Sequence, residues 1–402
     1  MNFKSDFLRE FFERGFFAQA THQEELDESL SSERITAYIG FDCTAKSLHA
    51  GSLIQIMILR LLQKHGHKPI LLLGGGTTKI GDPSGKDEAR QILSDQKIFE
   101  NLAGIKKTLE KFIRFGGGAS DAIMVNNDDW LRHLNYIDFL RDIGRHFSVN
   151  RMLGFDSVKL RLEREQPLSF LEFNYMILQA YDFFELNKKY GCALQIGGSD
   201  QWGNILNGVE LIRRVSAKES FGLTSPLLTT SSGAKMGKTS DGAVWLDESM
   251  LSPFDYFQYF RNTHDADVSR FLKLFTDLEL SEIADLEKGN INEAKKILAF
   301  EATKICHGEK SANEALQKAH EIFVSKNSAA FETKEFLIEK KLTEILKDLE
   351  VTASLGEAKR LIEGKALKVN GEAVLDPNFQ FNQAGKFDLS IGKKKFFKIL
   401  IK

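Results

Sequence analysis

The sequence has few cysteines and almost no excess of charge, and each absence excludes a class of protein. Cys43, Cys192 and Cys306 are its three cysteines among 402 residues, and no two of them form a C-x-x-C pair. This spacing argues against a disulfide framework and against a zinc site, and it is typical of a protein in a reducing cytoplasm. The formal net charge is -2, so any surface that binds nucleic acid must be local.

The sequence also lacks internal repeats, low-complexity tracts and long apolar runs. Residues 6–17 are rich in Phe but contain Asp6, Arg9 and Glu10, so they predict an amphipathic first helix rather than a signal peptide or membrane span. We therefore expect no membrane partner. The 42% hydrophobic and 27% charged residues are ordinary for a globular protein, and 402 residues allow two or three domains.

What the sequence does contain is organised around residues 38–52, which read YIGFDCTAKSLHAGS. Residues 35–41 have the β-branched and aromatic content of a buried strand, and residues 53–63 predict an apolar helix. The loop between them ends at a helix N-terminus, where free N–H groups and the helix dipole favour a phosphate. Thr44 and His49 would add hydrogen-bond donors to such a nucleotide site.

A purely structural interpretation of the same loop is equally good from these residues alone. Gly40 and Gly51 would allow a tight turn, and His49 would bond to the backbone at the start of the helix. The next apolar run, residues 68–73, completes the order strand, helix, strand that begins a parallel sheet. The predicted fold class is therefore α/β.

The loop at residues 81–86, GDPSGK, superficially suggests a P-loop, but its glycine spacing is wrong and its lysine is followed by Asp. Lys86 and Arg90 are cations within reach of a polyphosphate, although a solvated loop is the simpler interpretation.

Residues 121–126 then predict a strand. Residues 130–147 predict a helix with an apolar face made by Leu131, Leu134, Ile137 and Leu140.

Residues 170–190 predict the most informative helix of the chain. Tyr175, Gln179 and Asp182 fall at positions i, i+4 and i+7, which places them on one face within about two turns. A phenol, an amide and a carboxylate are costly to bury unless a ligand or neighbouring groups satisfy them. The alternative is a polar stripe facing water, but the apolar residues around it argue against full exposure.

Two later loops also carry chemistry. Residues 192–196 predict a strand ending at two glycines, including Gly198, where a ligand can approach the backbone of a parallel sheet. Asp200 would accept from ribose hydroxyls or cap the following helix. In the later GAKMGKT loop, Lys235 and Lys238 form a flexible cationic clamp suited to phosphates, with a solvated turn as the alternative.

The C-terminal third is helical up to about residue 323 and then changes in composition. Its tail predicts a helix with Lys359 and Arg360, followed by a hairpin that carries Lys368 and turns at Asn370-Gly371. Residues 359–402 hold ten Lys or Arg and four Asp or Glu, an excess of six, as an RNA-binding appendage would. The predicted divisions are residues 1–247, 248–325, a linker at 326–340, and 341–402.

These motifs resemble those of the class I aminoacyl-tRNA synthetases. His49-Ala50-Gly51-Ser52 resembles the first signature, normally His-x-Gly-His, and the loop from Lys235 to Thr239 resembles the second signature in its tyrosyl variant. The Tyr-x-x-x-Gln-x-x-Asp stripe is similar to the amino-acid pocket of tyrosyl-tRNA synthetases, and the tail resembles an S-four RNA-binding domain. The chain is identified from these motifs as a member of the bacterial-type tyrosyl-tRNA synthetase family.

The resemblance implies an architecture, a reaction and partners. It implies a Rossmann-like catalytic domain with a dimer-forming insertion at about residues 121–190, an α-helical anticodon-side domain and an S-four-like domain. The implied reaction activates L-tyrosine with ATP to tyrosyl-adenylate and pyrophosphate, then transfers tyrosine to the 3′ end of tRNA(Tyr). Mg²⁺ would accompany ATP without a protein-bound metal site. A cytoplasmic homodimer is implied as well.

The resemblance also implies roles for individual residues. The tyrosine pocket would consist of Tyr38 and Asp182 at the phenol, Tyr175, Gln179 and Asp82 at the ammonium group, and Gln201 near the carboxylate. ATP would contact Gly40, Asp42, His49, Gly51, Gly198, Asp200, Lys235 and Lys238. The residues implied to promote the reaction are Thr44, His49, Ser52, Lys86, Arg90, Lys235 and Lys238. The residues implied to bind tRNA are Lys359, Arg360 and Lys368.

One departure from the family pattern keeps an alternative open. Ser52 stands where the family's second His lies near the ATP ribose, and a serine hydroxyl has a shorter reach. The rival interpretations are the sister enzyme that charges tryptophan and a non-catalytic RNA-binding relative with a silenced nucleotide site. Tyr38 together with Asp182 favours tyrosine. Retention of His49 and of the lysines in both loops counts against a silenced site.

Overall fold

The computed structural model describes residues 2–84, 93–231, 233, 236–239, 242–323, 333–364, 366–392 and 395–402. The chain divides into two compact units, Met1–Ala312 and Asn313–Lys402. The predicted catalytic and helical regions therefore share one unit. No helix in these described ranges is long and apolar enough to cross a membrane.

The strands and helices of the first unit alternate along the chain. Its strands are β1 (Gln19–Ala20), β2 (Thr36–Asp42), β3 (Lys68–Gly74), β4 (Ile123–Asn126), β5 (Leu194–Gly198), β6 (Phe221–Ser225), β7 (Lys238–Thr239) and β8 (Gly242–Ala243). Its helices include α1 (Asp6–Glu13), α2 (Gln23–Ser32), α3 (Leu53–Lys64), α4 (Asp95–Leu109), α5 (Asp128–Leu131), α6 (Tyr136–Asp142), α7 (Val149–Leu153) and α8 (Asp156–Glu163). They continue with α9 (Phe170–Phe173), α10 (Tyr175–Tyr190), α11 (Trp202–Ser216), α12 (Pro253–Arg261), α13 (Asp265–Phe275) and α14 (Leu280–Lys288). Helix α15 (Ile291–Phe323) begins in the first unit, is interrupted by non-helical backbone at Gly308 and ends in the second unit.

The central sheet has six strands in the order β1-β6-β5-β2-β3-β4. Strands β2 to β6 pair in parallel, and β1 pairs antiparallel with β6. The predicted Rossmann-like α/β fold is confirmed. From β2 the chain proceeds to β3 and β4 on one side, and it later returns to β5 and β6 on the other. The carboxyl ends of β2 and β5 therefore flank the switch point at which open α/β sheets bind ligands.

Close packing of α10 against α11 fixes the helix that carries the predicted polar stripe. A Cβ added to Gly208 would lie 2.9 Å from ring carbon Cδ1 of Phe183, so a side chain at this position would push the two helices apart. Helix α10 ends at Gly191, whose φ of 63° lies in the left-handed region that glycine adopts readily. The predicted single helix at residues 170–190 is divided at Asn174 into α9 and α10.

The predicted helix at residues 130–147 is broken, and its apolar face lies at the surface. Asn135 accepts hydrogen bonds from the backbone N–H groups of Ile137 and Asp138, so α6 begins there as a separate helix. A 3₁₀ turn at Gly144–His146 follows α6. Ile137 is 67% exposed and Leu140 39% exposed. The predicted apolar face therefore does not place Ile137 and Leu140 in the core of the chain.

The second unit has a sheet and a core of its own. Its elements are β9 (Thr333–Phe336), α16 (Leu342–Asp348), α17 (Leu355–Glu363), β10 (Leu367–Val369), β11 (Glu372–Ala373), β12 (Gly385–Ile391) and β13 (Lys395–Ile401). The five strands lie in the order β11-β10-β12-β13-β9. Asn370 and Gly371, with φ of 49° and 89°, form the predicted hairpin turn between β10 and β11.

The position of β9 differs from the predicted linker at residues 326–340. Thr333–Phe336 pairs in parallel with β13, so the sheet of this unit begins before residue 341. The short strand is easily missed in sequence because its alternating TKEF pattern resembles a solvated connection. The preceding part of the predicted linker, up to residue 332, lies outside the described residues.

A close approach at Gly104 yields a stability prediction. Gly104 lies within α4, where Gly→Ala usually stabilises a helix, yet an added Cβ would lie 2.0 Å from the carbonyl oxygen of Lys46. We expect Gly104→Ala to lower the free energy of unfolding by about 1–3 kcal/mol, as overpacking does. Chemical denaturation followed by circular dichroism measures this change.

The matched control is Gly356→Ala in α17. An added Cβ there meets its first described neighbour, the hydroxyl of Ser354, at 3.9 Å, which is ordinary contact. We expect this variant to be neutral or to stabilise its unit by up to about 1 kcal/mol. Equal and favourable effects of the two substitutions would contradict the close packing of α4 against the loop that contains Lys46.

Candidate active site

A cavity of about 300 Å³ lies at the switch point of the central sheet. Its wall includes backbone from the ends of β2 and β5 and side chains from α10. It brings together many of the residues predicted from the sequence, namely Tyr38, Gly40, Asp42, Gly51, Asp82, Tyr175, Gln179, Asp182, Gly198, Asp200 and Gln201. Residues as far apart in the sequence as Tyr38 and Gln201 thus share one cavity.

One part of this cavity contains a buried carboxylate held by two donors. Asp182 is 1% exposed. Its Oδ1 accepts from the indole Nε1–H of Trp130 at 2.7 Å, and its Oδ2 accepts from the amide Nδ2 of Asn127 at 2.9 Å. The Oδ1 atom of Asn127 accepts from the backbone N–H of Gly76 at 2.8 Å, which fixes the amide with its NH₂ group towards Asp182.

Burial and hydrogen bonding have opposite effects on the charge of this carboxylate. Loss of water raises the pKa of Asp182 to about 7, and the donors Asn127 and Trp130 oppose that rise. The negative charges of Asp42 and Glu185 add to the rise. Burial therefore makes the charged form of this carboxylate less favourable than in water, and a further donor from a ligand would favour the charged form.

Tyr38 contributes a buried hydroxyl to the same part of the cavity. Within the described residues, the Oη atom of Tyr38 is buried and has no hydrogen-bond partner. Its ring packs on Phe183 at a centroid distance of 5.3 Å. Burial, with a contribution from the charge of Asp182, raises the pKa of Tyr38, so its proton remains available for donation. A ligand hydroxyl that donates to Asp182 and accepts from Tyr38 would satisfy both groups.

A connected set of polar side chains lines the adjoining wall. The Tyr175 hydroxyl donates to Oδ1 of Asp42 at 3.2 Å. The amide of Asn204 donates to Oε1 of Gln179 at 2.9 Å and to Oε1 of Gln201 at 3.1 Å. The Gln201 amide in turn donates to Oδ2 of Asp82 at 2.8 Å, which completes the set. The carboxylates at this wall make it suitable for a cationic group of a ligand.

The segment containing the first signature is fixed by its own backbone. The backbone N–H of Gly51 donates to Nδ1 of His49 at 3.0 Å, so in the neutral ring the proton lies on Nε2 and can be donated to an anion. The N–H of Ala50 donates to the carbonyl of Val244 at 2.7 Å. The segment just after the second signature therefore forms part of the first signature's frame.

The described part of the second signature also lies against the first. Gly237 has φ +85°, and an added Cβ would lie 2.4 Å from the backbone nitrogen of Gly51 and 2.8 Å from Nδ1 of His49. The N–H of Gly237 donates to the hydroxyl of Tyr259 at 3.4 Å, which anchors the segment to α12. The fold thus brings together two sequence motifs that the chain separates by nearly two hundred residues.

Several predicted residues do not line the cavity or cannot be located. Thr44 is exposed on the loop after β2, and Ser52 is the N-cap of α3 without a side-chain capping bond to any described residue. Lys86, Arg90 and Lys235 lie outside the described residues, and only the backbone of Lys238, in β7, is described. In the second unit, Lys359, Arg360 and Lys368 are exposed, as a surface that binds RNA requires.

The sequence did not predict the residues that hydrogen-bond to the predicted side chains and fix their positions. Asn127 and Trp130 support Asp182, and Asn204 joins Gln179 to Gln201. Asn127 directly follows β4, so its place at the carboxyl end of a parallel strand was a usable signal. Trp130 and Asn204 lie on helices and have no comparable signal, because their roles depend on helix positions that the sequence does not specify.

A second cavity, of about 460 Å³, lies between α1, α3 and the end of α13. Each of its charged side chains already has a partner among the described residues. Arg14 contacts Glu10 at 2.6 Å and donates to the carbonyls of Lys273 and Thr276, and Arg60 pairs with Asp277. This cavity therefore has the character of a structural ion-pair network.

Comparisons with known proteins agree with this geometry. Residues 30–324 match the model of the family described as tRNA synthetases class I (W and Y). A tyrosine–tRNA ligase of Ehrlichia ruminantium is 59% identical over 416 residues, covering 100% of this chain and 99% of the relative. Another from Caulobacter sp. is 57% identical over 417 residues, covering 100% and 98%.

Solved structures give the same result. The structure of a C-terminally truncated mitochondrial tyrosyl-tRNA synthetase of Aspergillus nidulans superposes with a TM-score of 0.72 at 32% identity. The match covers 79% of this chain and 94% of that chain. The chain therefore belongs to the class I tRNA synthetases, in the branch of the tyrosine–tRNA ligases, which confirms the resemblance drawn from its motifs.

Proposed function

We propose that this chain is a tyrosine–tRNA ligase that activates L-tyrosine with ATP and transfers the tyrosyl group to tRNA(Tyr). In the first step a carboxylate oxygen of tyrosine attacks the α-phosphorus of ATP, and the bond to pyrophosphate breaks. In the second step the 3′-terminal adenosine of the tRNA takes the tyrosyl group and AMP leaves. Full-length relatives at 59% and 57% identity support this activity.

The observation that carries the choice of tyrosine is the pairing of Asp182 with Tyr38. A phenol can donate to the Asp182 carboxylate and accept from the otherwise unpartnered Tyr38 hydroxyl of the described cavity. Phenylalanine would leave both groups buried without a ligand partner, which is costly. Tyrosyl-tRNA synthetases are the standard example of such rejection without editing. An indole ring carries its N–H at another position and would leave at least one of the groups unsatisfied.

The remaining residues would act by positioning and by stabilising charge. Asp82, Tyr175 and Gln179 would hold the ammonium group, and Gln201 would lie near the carboxylate. Asp200 and the backbone at Gly198 would contact the ribose, with Gly40, Asp42 and Gly51 along the nucleotide. Catalysis of this kind needs no side-chain nucleophile, because aligning the carboxylate with the α-phosphate lowers the barrier.

The polyphosphate would lie at the paired signatures. His49 would donate from Nε2, and Thr44 would add a donor. Lys86, Arg90, Lys235 and Lys238 are proposed from the motifs to balance the charge of the departing pyrophosphate, and Ser52 to contact the nucleotide near the ribose. The described residues offer no group of three His, Cys, Asp or Glu that could hold a metal ion. As the family resemblance implies, Mg²⁺ would accompany the phosphates of ATP.

We also propose a cytoplasmic homodimer that binds tRNA partly through the second unit. The cytoplasmic assignment is supported by three buried, free cysteines. The tRNA assignment is supported by the exposed Lys359, Arg360 and Lys368. The dimer assignment is supported by an apolar surface around a cavity of about 410 Å³, whose exposed members are Tyr136, Leu140, Phe170 and Leu171. It lies in the predicted dimer-forming insertion.

The first prediction of this proposal concerns the activation step. We expect ATP–pyrophosphate exchange with tyrosine and not with phenylalanine or tryptophan. Tyr38→Phe should raise KM for tyrosine by about fivefold, since a buried hydrogen bond contributes about 1 kcal/mol. Tyr190→Phe, at an exposed tyrosine, should behave as the parent. Folded protein that binds tRNA but shows no exchange with any of the three amino acids would favour the non-catalytic alternative.

The second prediction concerns the contact between the two signatures. Gly237→Ala should slow exchange at least about tenfold, because a 2.4 Å contact with the backbone of Gly51 would separate the segments. Gly233→Ala is the control, since its φ of +81° imposes similar backbone strain while an added Cβ meets no described atom within 4 Å. Equal loss in both variants would attribute the effect to strain and contradict the proposed contact.

The third prediction concerns the oligomer. Phe170→Asp should convert a dimer to monomers in analytical ultracentrifugation, because it introduces a charge into the proposed apolar interface. Phe170 is 70% exposed. Phe99→Asp, which makes the same change at a side chain 68% exposed on α4, should leave the dimer intact. A parent chain that sediments as a monomer at micromolar concentration would refute the dimer.

A further inference from the structure

A cation near the buried carboxylate Asp182 has no part in the proposed reaction. Lys189 Nζ lies 4.9 Å from the centre of the Trp130 ring, within the range of a cation–π contact. The same indole donates its Nε1–H to Oδ1 of Asp182 at 2.7 Å. A positive charge on the ring face draws electron density from the indole, which makes its N–H a better donor. Lys189 therefore acts on Asp182 through Trp130.

The same lysine also balances a second buried acid. Glu185 is buried one turn along α10 from Asp182, and its Oε2 lies 3.1 Å from Lys189 Nζ. Its Oε1 accepts from the hydroxyl of Tyr181 at 2.9 Å. The negative charge of Glu185 raises the pKa of Asp182. Removing Lys189 would leave this charge without its cation and make ionisation of Asp182 less favourable.

We propose that Lys189 is a positioning residue for tyrosine recognition, because its contacts with Trp130 and Glu185 keep the Asp182 carboxylate charged and oriented to accept the phenol hydrogen bond. This inference rests on the proposed function, since it assigns Asp182 to the phenol. It adds a residue that does not touch the cavity and that the sequence motif does not include. An ordinary Glu–Lys pair on a helix would instead affect only stability.

Several ionisable groups face Asp182, and they determine how its charge depends on pH. Tyr38 and Asp42 face it from β2, and Glu185 and Tyr181 from its own helix. The neutral donors Asn127 and Trp130 face it from the end of β4 and from α5. Asp42 and Glu185 both disfavour a charged Asp182, so the cation paired with Glu185 would offset part of the effect of Glu185.

The test is Lys189→Met, which keeps much of the length and removes the charge, with Lys189→Arg as the conservative variant. In tyrosine-dependent ATP–pyrophosphate exchange, we expect Lys189→Met to raise KM for tyrosine by about five- to tenfold. The kcat and the KM for ATP should stay within about twofold, because the phenol is remote from the reacting atoms. Lys189→Arg should restore the parental values, since arginine also forms cation–π contacts and ion pairs.

The pH profile gives a readout that helix stability would not change. Tyrosine recognition needs ionised Asp182, so kcat/KM for tyrosine should fall as pH drops through the pKa of this group. In Lys189→Met that acid limb should move to higher pH by about half a unit to one unit. Lys159→Met is the control, because Lys159 pairs with Glu163 at i,i+4 on α8 and should leave both KM and the acid limb unchanged.

A second measurement separates this inference from the proposed function. Trp130 fluorescence in the free protein, isolated by difference from a Trp130→Phe variant, should titrate with Asp182 and shift in Lys189→Met. If the parent shows no exchange with tyrosine, the proposed function fails. The fluorescence titration still tests whether Lys189 affects Asp182 through Trp130. The inference would be overturned if folded Lys189→Met had the same KM for tyrosine, the same acid limb of the pH profile and the same fluorescence titration as the parent. Thermal melts of all variants establish that they are folded.

Discussion

A buried carboxylate must be supplied with hydrogen bonds or it loses its charge, and this constraint governs the arrangement around Asp182. Its two donors come from different parts of the chain. Asn127 directly follows β4 and Trp130 lies on α5, while Asp182 itself lies on α10. The three elements must hold their relative positions to within the tolerance of a hydrogen bond. The packing of Phe183 over Gly208 serves the same requirement, because it fixes α10 against α11.

The end of the cavity at Gly51 depends on backbone geometry rather than on buried charge. Hydrogen bonds join the segment of His49 and Ala50 to residues 244–246, and Gly237 lies against Gly51 where a side chain would not fit. Backbone contacts of this kind tolerate many side chains around them. Ser52 joins this frame through its backbone N–H, which donates to the carbonyl of His49 at 2.8 Å and does not depend on its side chain.

Much of the fold was predictable because its signals are local. The strand, helix and strand from residue 36 to residue 74 follow from apolar content and turn residues, and the stripe of Tyr175, Gln179 and Asp182 follows from helical spacing. The helix predicted at residues 130–147 was wrong because an Asn cap at residue 135 outweighed the apolar periodicity. Its exposed apolar residues show that periodicity identifies an apolar face without identifying what covers it.

The supporting residues of the site could not be derived in the same way. In the sequence, nothing distinguishes Trp130 from other aromatic residues; its role is seen only in the contact between α5 and α10. Strand β9 is likewise recognised only by its pairing with β13. Such contacts join positions that are distant in sequence. One sequence alone does not show which distant positions come together. In contrast, residues that share one loop or one helix face have relative positions that follow from their spacing.

The amide network formed by Asn204, Gln179 and Gln201 has a consequence for redesign of the pocket. Asn204 donates to both Gln179 and Gln201, and Gln201 donates in turn to Asp82, so replacing one member leaves its neighbours with unmatched polar atoms. Substitutions here will be strongly non-additive. Redesign of this wall will therefore require coordinated changes at two or three of these positions, because changing one position at a time leaves the partners of the changed residue unmatched.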